Sequence, residues 1–132
     1  MDRSNVKAVV LIVEDDEAIR NLACQILELE GYRVVLSSDA RGAFAILQQK
    51  AGMVNLVITD VVLPEVNGVE LAKRVRDQYP HIAVLLMSGY LEEILTRYGA
   101  DACGFKLLVK PFTVEQLRRE VRECLVKSTS AA

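Results

Sequence analysis

The stretch Ala8-Val9-Val10-Leu11-Ile12-Val13-Glu14-Asp15-Asp16 joins six apolar residues directly to three acids. An apolar run without alternation is typical of a strand that is covered by helices on both faces, as in a parallel sheet. The acids that follow suit the first turn of a helix, where carboxylates cap free backbone N–H groups. This stretch therefore predicts a central strand followed by a helix over about residues 16–30, which ends before Gly31.

The same alternation of a short apolar run and a longer helical pattern recurs five times along the chain. Further helices are predicted from Asp39 to Gly52, from Val69 to Tyr79, over 91–98, and after a cap at Thr113. The five predicted strands are residues 8–13, 34–37, 56–59, 82–87 and 105–109. Such βαβ units predict an α/β fold, a doubly wound five-stranded parallel sheet of flavodoxin-like order 2-1-3-4-5 with helices on both faces.

The length and composition fit one globular domain. The chain has 132 residues, of which 52% are hydrophobic and 26% are charged, and we expect a domain over residues 6–127 with flexible termini at 1–5 and 128–132. The net charge of -2 and the scattered basic residues disfavour direct binding of nucleic acid. No apolar run approaches the ~20 residues of a membrane span, so a cytoplasmic protein without a membrane partner is expected.

Polar residues follow four of the predicted strands, at the edge where ligands bind in this fold. They are Glu14 and Asp15 after the first strand, Asp60 after the third, Ser88 after the fourth and Lys110 after the fifth. Carboxylates ~4 Å apart repel by roughly 4 kcal/mol per pair at an effective dielectric of 20, so a cation is expected among them. Oxygen ligands without a neighbouring His or Cys favour Mg²⁺ over zinc, and Asp60 is then an oxygen nucleophile for phosphorus.

Ordered motifs at these strand ends resemble the receiver domains of bacterial two-component response regulators, over residues 9–126. The motifs are Leu-Ile-Val-Glu-Asp-Asp at 11–16, Thr-Asp-Val-Val-Leu-Pro at 59–64 with Gly68 following, Met-Ser-Gly at 87–89 and Lys-Pro-Phe at 110–112. The resemblance implies a signalling switch rather than an enzyme, one that assists only its own phosphorylation and autodephosphorylation. It also implies a sensor histidine kinase or phosphotransfer protein as donor and a downstream protein as target.

The resemblance also assigns roles to individual residues. Asp60 accepts the phosphoryl group from a phosphohistidine, and Ser88 and Lys110 contact it, with a cis peptide between Lys110 and Pro111. Asp16 is mainly the cap of the first helix. The Mg²⁺ site comprises Glu14, Asp15, Asp60 and the backbone carbonyl of Val62.

One region departs from the usual receiver pattern. Most receivers carry Tyr or Phe three residues before the lysine, where this chain has Leu107; Phe105 lies two residues earlier, and we interpret it as out of phase. The switch is therefore predicted to involve Ser88, Leu107 and Tyr90, with Tyr90 as the signalling ring. The stretch 99–104 resembles the longer loop of receivers at the carboxyl ends of hybrid sensor kinases.

Two other functions stay open at this point. A phosphatase of the haloacid dehalogenase type also uses an Asp after a parallel strand, but it requires a second Asp two residues on, where this chain has Val62. A pseudo-receiver would keep the fold as a binding module without phosphorylation, although such proteins usually lose the acids or the lysine.

Overall fold

The computed structural model describes residues 8–64, 66–89 and 104–130, with side chains described as far as residue 126. Within these residues a helix follows each of the first three strands and the fifth. In chain order they are β1 (Val9–Val13), α1 (Glu17–Leu29), β2 (Arg33–Ser37), α2 (Ala40–Lys50), a 3-10 turn (Ala51–Met53), β3 (Leu56–Asp60), α3 (Gly68–Gln78), β4 (Ala83–Ser88), β5 (Lys106–Val109) and α4 (Val114–Ser130).

The five strands form one parallel sheet in the order β2-β1-β3-β4-β5, which confirms the predicted topology. Central β1 pairs on both sides, since Leu11 lies opposite Val35 of β2 and Val57 of β3. All five strands run in the same direction, so their carboxyl ends lie along one edge of the sheet. That edge carries the polar residues singled out above.

The sheet separates two apolar layers because successive side chains of a strand point to opposite faces. On one face, Ile12 packs in a cluster with residues of α1 and α4, and on the other Leu11 packs with residues of α2 and α3. Both strand residues are fully buried, and so is the rest of β1 except Val9. The unbroken apolar run at the start of the sequence is thus explained by burial on both faces.

The helices begin at polar capping residues. Asp16, Asp39 and Asn67 each accept a hydrogen bond from the backbone N–H three residues on, at 3.1, 2.8 and 2.8 Å. Thr113 and Gln116 form a reciprocal pair at the start of α4, with distances of 3.0 and 2.8 Å. These bonds confirm the predicted helix starts at Asp39 and Thr113 and the capping role of Asp16.

Several element ends differ from the sequence prediction. β3 includes Asp60 and β4 includes Ser88, so both polar residues close their strands rather than follow them. α2 ends at Lys50 and continues into the 3-10 turn that contains Gly52. The predicted helix over 91–98, most of the loop 99–104 and the predicted flexible residues 1–5 lie outside the described residues.

α4 extends further than predicted. It reaches Ser130, whereas the predicted domain ends at residue 127; the expectation of a flexible terminus over 128–132 stays a prediction. No Gly or Pro interrupts the chain between Val114 and Ser130, and Ser and Thr lower helix propensity without breaking the backbone hydrogen bonds. None of the described helices, α4 included, combines the length and the hydropathy needed to cross a membrane.

Candidate functional site

A lysine bridges two carboxylates at the carboxyl edge of the sheet. Lys110, directly after β5, places its Nζ 2.5 Å from Oε1 of Glu14 and 3.3 Å from Oδ2 of Asp60. Glu14 follows β1 and Asp60 ends β3, so the bridge joins three strand ends. Their side chains are only 17% (Lys110), 1% (Glu14) and 10% (Asp60) exposed, which strengthens the attraction between the opposite charges.

Glu14 is held at every polar atom. Its Oε2 accepts the Asp16 N–H at 3.2 Å, its own N–H donates to the Ser37 carbonyl at 3.1 Å, and its carbonyl accepts Nη1 of Arg20 at 2.9 Å. Burial raises the pKa of the Glu14 carboxyl to about 7, against the lowering effect of the hydrogen bond from Lys110. These contacts therefore hold Glu14 in place, although its burial disfavours the charged form of the carboxyl.

The pKa of the Lys110 ammonium moves in the direction that keeps it charged. Burial acts to lower this pKa, but the hydrogen bond to Glu14 and the negative charge of Asp60 outweigh it, so the pKa is raised. Lys110 is therefore a permanent cation at neutral pH, beside an oxygen of Asp60.

The carboxylates of Glu14, Asp15 and Asp60 form an acidic cluster, with one oxygen of each within 4.8 Å of the others. Glu14 is already engaged by Lys110 and Asp16, whereas the exposed Asp15 carboxylate makes no hydrogen bond or ion pair with any described residue. Asp15 and Asp60 therefore offer the oxygens that remain available to an ion. A set of carboxylate oxygens without His or Cys fits Mg²⁺, whose preferred ligands are hard oxygens.

The backbone around Asp60 is fixed by a close approach of α3. The Gly68 N–H, at the first residue of α3, donates to the Val61 carbonyl at 2.7 Å, and the Thr59 hydroxyl donates to the Asp60 carbonyl at 3.0 Å. A Cβ at position 68 would lie 1.9 Å from the Asp60 carbonyl oxygen. The sequence indicated a turn near Gly68 but not this contact, because a distance between two backbones leaves no signature in residue types.

Asp60, Ser88, Lys110 and Val62 line one cavity of about 520 Å³. Ser88 is buried, and its carbonyl accepts the Lys110 N–H at 2.8 Å, which aligns the ends of β4 and β5. The peptide bond between Lys110 and Pro111 is cis, as expected. The rest of the lining is mostly apolar, contributed by Ile19, Leu22, Gly89, Pro111 and Phe112.

The predicted switch residues lie in different places. Leu107 is half-buried and packs against a cluster of Val61, Val69, Ala72 and Leu86, outside the cavity lining. Phe105 packs against the same cluster, so the interpretation of Phe105 as out of phase is wrong. Residues two apart in an extended chain share a face, and the guanidinium of Arg76 covers the Phe105 ring at 4.8 Å from its centroid. Tyr90 lies outside the described residues.

Arg20 is the polar residue of this edge that the sequence analysis missed. It lies one turn into α1, four residues after the Asp16 cap, and its side chain points back toward the strand that precedes the helix. An arginine four residues after a helix cap could have been identified from the sequence as a contact to the preceding strand, but many arginines in the first turn of a surface helix have the same spacing.

Comparisons with known proteins agree with this geometry. The family model described as "Response regulator receiver domain" matches residues 10–122. The sensor kinase CckA of Brucella abortus (strain 2308) is 36% identical over 120 residues, which are 91% of this chain but only 13% of that kinase. The response regulator receiver protein CpdR of the same strain is 30% identical over 117 residues, 89% of this chain and 96% of CpdR.

A solved structure shows the same fold at similar identity. The receiver domain from the hybrid histidine kinase CckA superposes with a TM-score of 0.75 at 30% identity, covering 89% of this chain and 98% of that domain. The expected similarity to receivers of hybrid kinases is thereby confirmed. The family model matches from β1 into α4, and CpdR is matched over 96% of its length. This chain therefore belongs to the response regulator receiver domain family of two-component systems.

Proposed function

We propose that this chain is an active phosphoacceptor, which takes a phosphoryl group onto Asp60 and changes conformation to regulate a partner. The observation that carries the proposal is the Lys110 ammonium between Glu14 and Asp60, with Asp15 beside them. A pseudo-receiver needs neither the cation nor three adjoining acids. A buried lysine and buried carboxylates lose hydration free energy that their mutual attraction must offset. Stabilisation of a transferred phosphoryl group gives these residues a function that accounts for this cost.

The residues divide the chemistry between them. One carboxylate oxygen of Asp60 attacks phosphorus, an O–P bond forms, and the electron pair of the breaking P–N bond returns to the imidazole nitrogen of the phosphohistidine donor. Lys110 neutralises charge on the transferred oxygens without giving up its proton, since its pKa is raised. Mg²⁺ held by Asp15, Asp60 and the Val62 carbonyl, with Glu14 beside it, would neutralise further phosphoryl charge.

The proposed partners follow from this chemistry. The donor is a phosphohistidine on a sensor kinase or phosphotransfer protein, and the apolar side of the cavity at Ile19, Leu22 and Phe112 offers a surface for a protein rather than a small solute. The downstream target is proposed to be another protein, met in the cytoplasm. A net charge of -2 gives little field to hold a nucleic-acid backbone.

The proposed experiment for phosphorylation uses acetyl phosphate as a small donor. With Mg²⁺, intact-mass spectrometry should show one added phosphoryl group on the wild type and none on Asp60→Asn. Asp77→Asn makes the same change at an exposed position of α3 and should be phosphorylated like the wild type. Modification of Asp60→Asn to the wild-type level would contradict the assignment, and an unmodified wild type would favour a pseudo-receiver.

A haloacid dehalogenase-like phosphatase is the second candidate, and no observation favours it. Val62 stands where that chemistry needs a second Asp, and it is 60% exposed without any acid or base function. Release of phosphate from small phosphoesters by the wild type, lost in Asp60→Asn, would support this candidate instead.

We further propose that Ser88 transmits most of the change to residues 90–98, with Tyr90 as the signalling ring, and that Leu107 couples to phosphorylation less strongly. Ser88 is buried and lines the same cavity as Asp60 and Lys110, so it can respond to an added anion. Leu107 lies outside that cavity and packs against the cluster that contains Val61, so it meets the site less directly. Beryllofluoride, which imitates the phosphoryl group, should shift the NMR signals of residues 88–98 most and that of Leu107 less in the wild type, and all of these shifts should shrink in Ser88→Ala. Shifts concentrated in β2 and α2, unaffected by Ser88→Ala, would contradict this route.

A further inference from the structure

We infer that Arg20 is a positioning residue for the acidic cluster, which orients Asp15 toward a bound divalent cation through the peptide that precedes it. The inference rests on the proposed Mg²⁺ site. It concerns a residue of α1 whose guanidinium, among the described residues, donates to one backbone atom, the Glu14 carbonyl oxygen, at 2.9 Å.

The Asp15 side chain has no anchor of its own. Among the described residues nothing donates to its carboxylate, in contrast to Glu14, which is fixed by Lys110 and by the Asp16 N–H. The direction of the Asp15 side chain is therefore set by its backbone. The Glu14 carbonyl and the Asp15 N–H belong to one planar peptide unit, so a bond to that carbonyl fixes the plane from which Asp15 extends.

Arg20 is well placed to fix this plane. The Asp16 carbonyl accepts the backbone N–H of Arg20 at 2.9 Å, so the residue belongs to the first hydrogen-bonded turn of α1, and Asp16 also caps that turn. A rigid helix start thus carries the guanidinium to the end of β1. A planar guanidinium loses little freedom on making such a bond, which suits it to hold a backbone carbonyl.

Arg20 could influence cation binding by holding the peptide plane or by its positive charge, and the two effects predict opposite changes in Mg²⁺ affinity when the guanidinium is removed. The guanidinium is positive, so its removal would by charge alone favour Mg²⁺ binding to the acidic cluster. If Arg20 acts by holding the peptide plane, its removal weakens Mg²⁺ binding despite this gain. The sign of the change therefore separates the two effects.

The test is calorimetric titration of Mg²⁺ into the full chain. We expect Arg20→Met to raise the Kd about tenfold, within the range for groups that orient metal ligands, and Arg20→Lys, which keeps the charge on a flexible stem, to raise it by about threefold. Arg33→Met makes the same charge change at the amino end of β2 and should leave the Kd unchanged. The NMR signal of the Asp15 amide in metal-free protein should move in Arg20→Met and stay in place in Arg33→Met.

The outcomes separate the inference from the proposed function. A wild type that binds no Mg²⁺ would overturn both. A wild type that binds Mg²⁺, with Arg20→Met binding it equally or more tightly, would overturn the inference alone. If Arg20→Met does not fold, Arg20→Lys decides, because an unchanged Kd in that variant excludes a requirement for the guanidinium.

Discussion

Replacing Gly68 with alanine adds a methyl group against the backbone that carries Asp60. The new Cβ would lie 1.9 Å from the Asp60 carbonyl oxygen, 2.8 Å from its carbonyl carbon and 2.9 Å from Cα of Val61, where ordinary contact begins at 3.4 Å. All three atoms are backbone, so no side-chain rotation relieves the overlap. Either α3 or the end of β3 must move.

The expected loss of stability is about 2–3 kcal/mol, near the upper part of the usual cost of overpacking. Helix propensity acts in the other direction, since alanine is favoured over glycine by about 1 kcal/mol inside a helix. Gly52→Ala is the matched control, because nothing lies within 4 Å of a Cβ at that position. The control should be neutral or stabilise the protein by up to about 1 kcal/mol through the unfolded state.

Urea unfolding of both variants measures these changes, and acetyl phosphate measures the effect on the site. Gly68→Ala should lose phosphorylation rate even under conditions where it is folded, because a displaced Asp60 carbonyl also displaces its carboxylate. If Gly68→Ala is as stable as Gly52→Ala and is phosphorylated like the wild type, the close approach of α3 does not position Asp60 and this reasoning is refuted.

Two further predictions concern the carboxylates. Mg²⁺ should raise the Tm of the wild type, because it relieves their repulsion, and should not raise that of Asp15→Ala; an equal rise in both would exclude Asp15 as a ligand. Without metal, the raised pKa of Glu14 means that the folded state binds a proton at this carboxyl more tightly than the unfolded state does. Protonation of Glu14 therefore stabilises the fold fully below pH 4.5, and this stabilisation is lost as the pH rises to about 7. Urea unfolding from pH 4.5 to 8 should therefore show a decline of up to about 3 kcal/mol that is absent in Glu14→Gln, and parallel profiles would contradict it.

The sheet order and the meeting of the polar strand ends could be predicted, because apolar runs and the residues that follow them can be read directly from the sequence. Apolar runs identify buried strands, and the direction of parallel strands brings their ends together, which is why Asp60 and Lys110 meet although 50 residues separate them in the sequence. Acids and a lysine at the carboxyl ends of neighbouring parallel strands fit few kinds of site other than one for a cation and an anionic group.

The errors have physical causes of a different kind. Phe105 lies two residues before Leu107 and shares its face, as the two-residue period of an extended chain requires, so the out-of-phase interpretation misapplied that period. The end of α4 lies in the segment Ser-Thr-Ser at 128–130. Ser and Thr are weak helix formers, so a small difference in free energy between helical and solvated backbone decides where the helix ends. The contacts of Arg20 and Gly68 involve carbonyl oxygens, which every residue carries, so residue types could not reveal them.

The bridge between Lys110 and Glu14 spans 96 positions of the chain, and it bears on synthesis at the ribosome. All acids of the cluster emerge long before the lysine that compensates them, and every strand pairing requires a long crossover rather than a hairpin. A nascent chain from which Lys110 has not yet emerged therefore holds uncompensated acids and an unfinished sheet. If the proposed function holds, the chain becomes able to accept a phosphoryl group only once β5 has formed and brought Lys110 to Asp60.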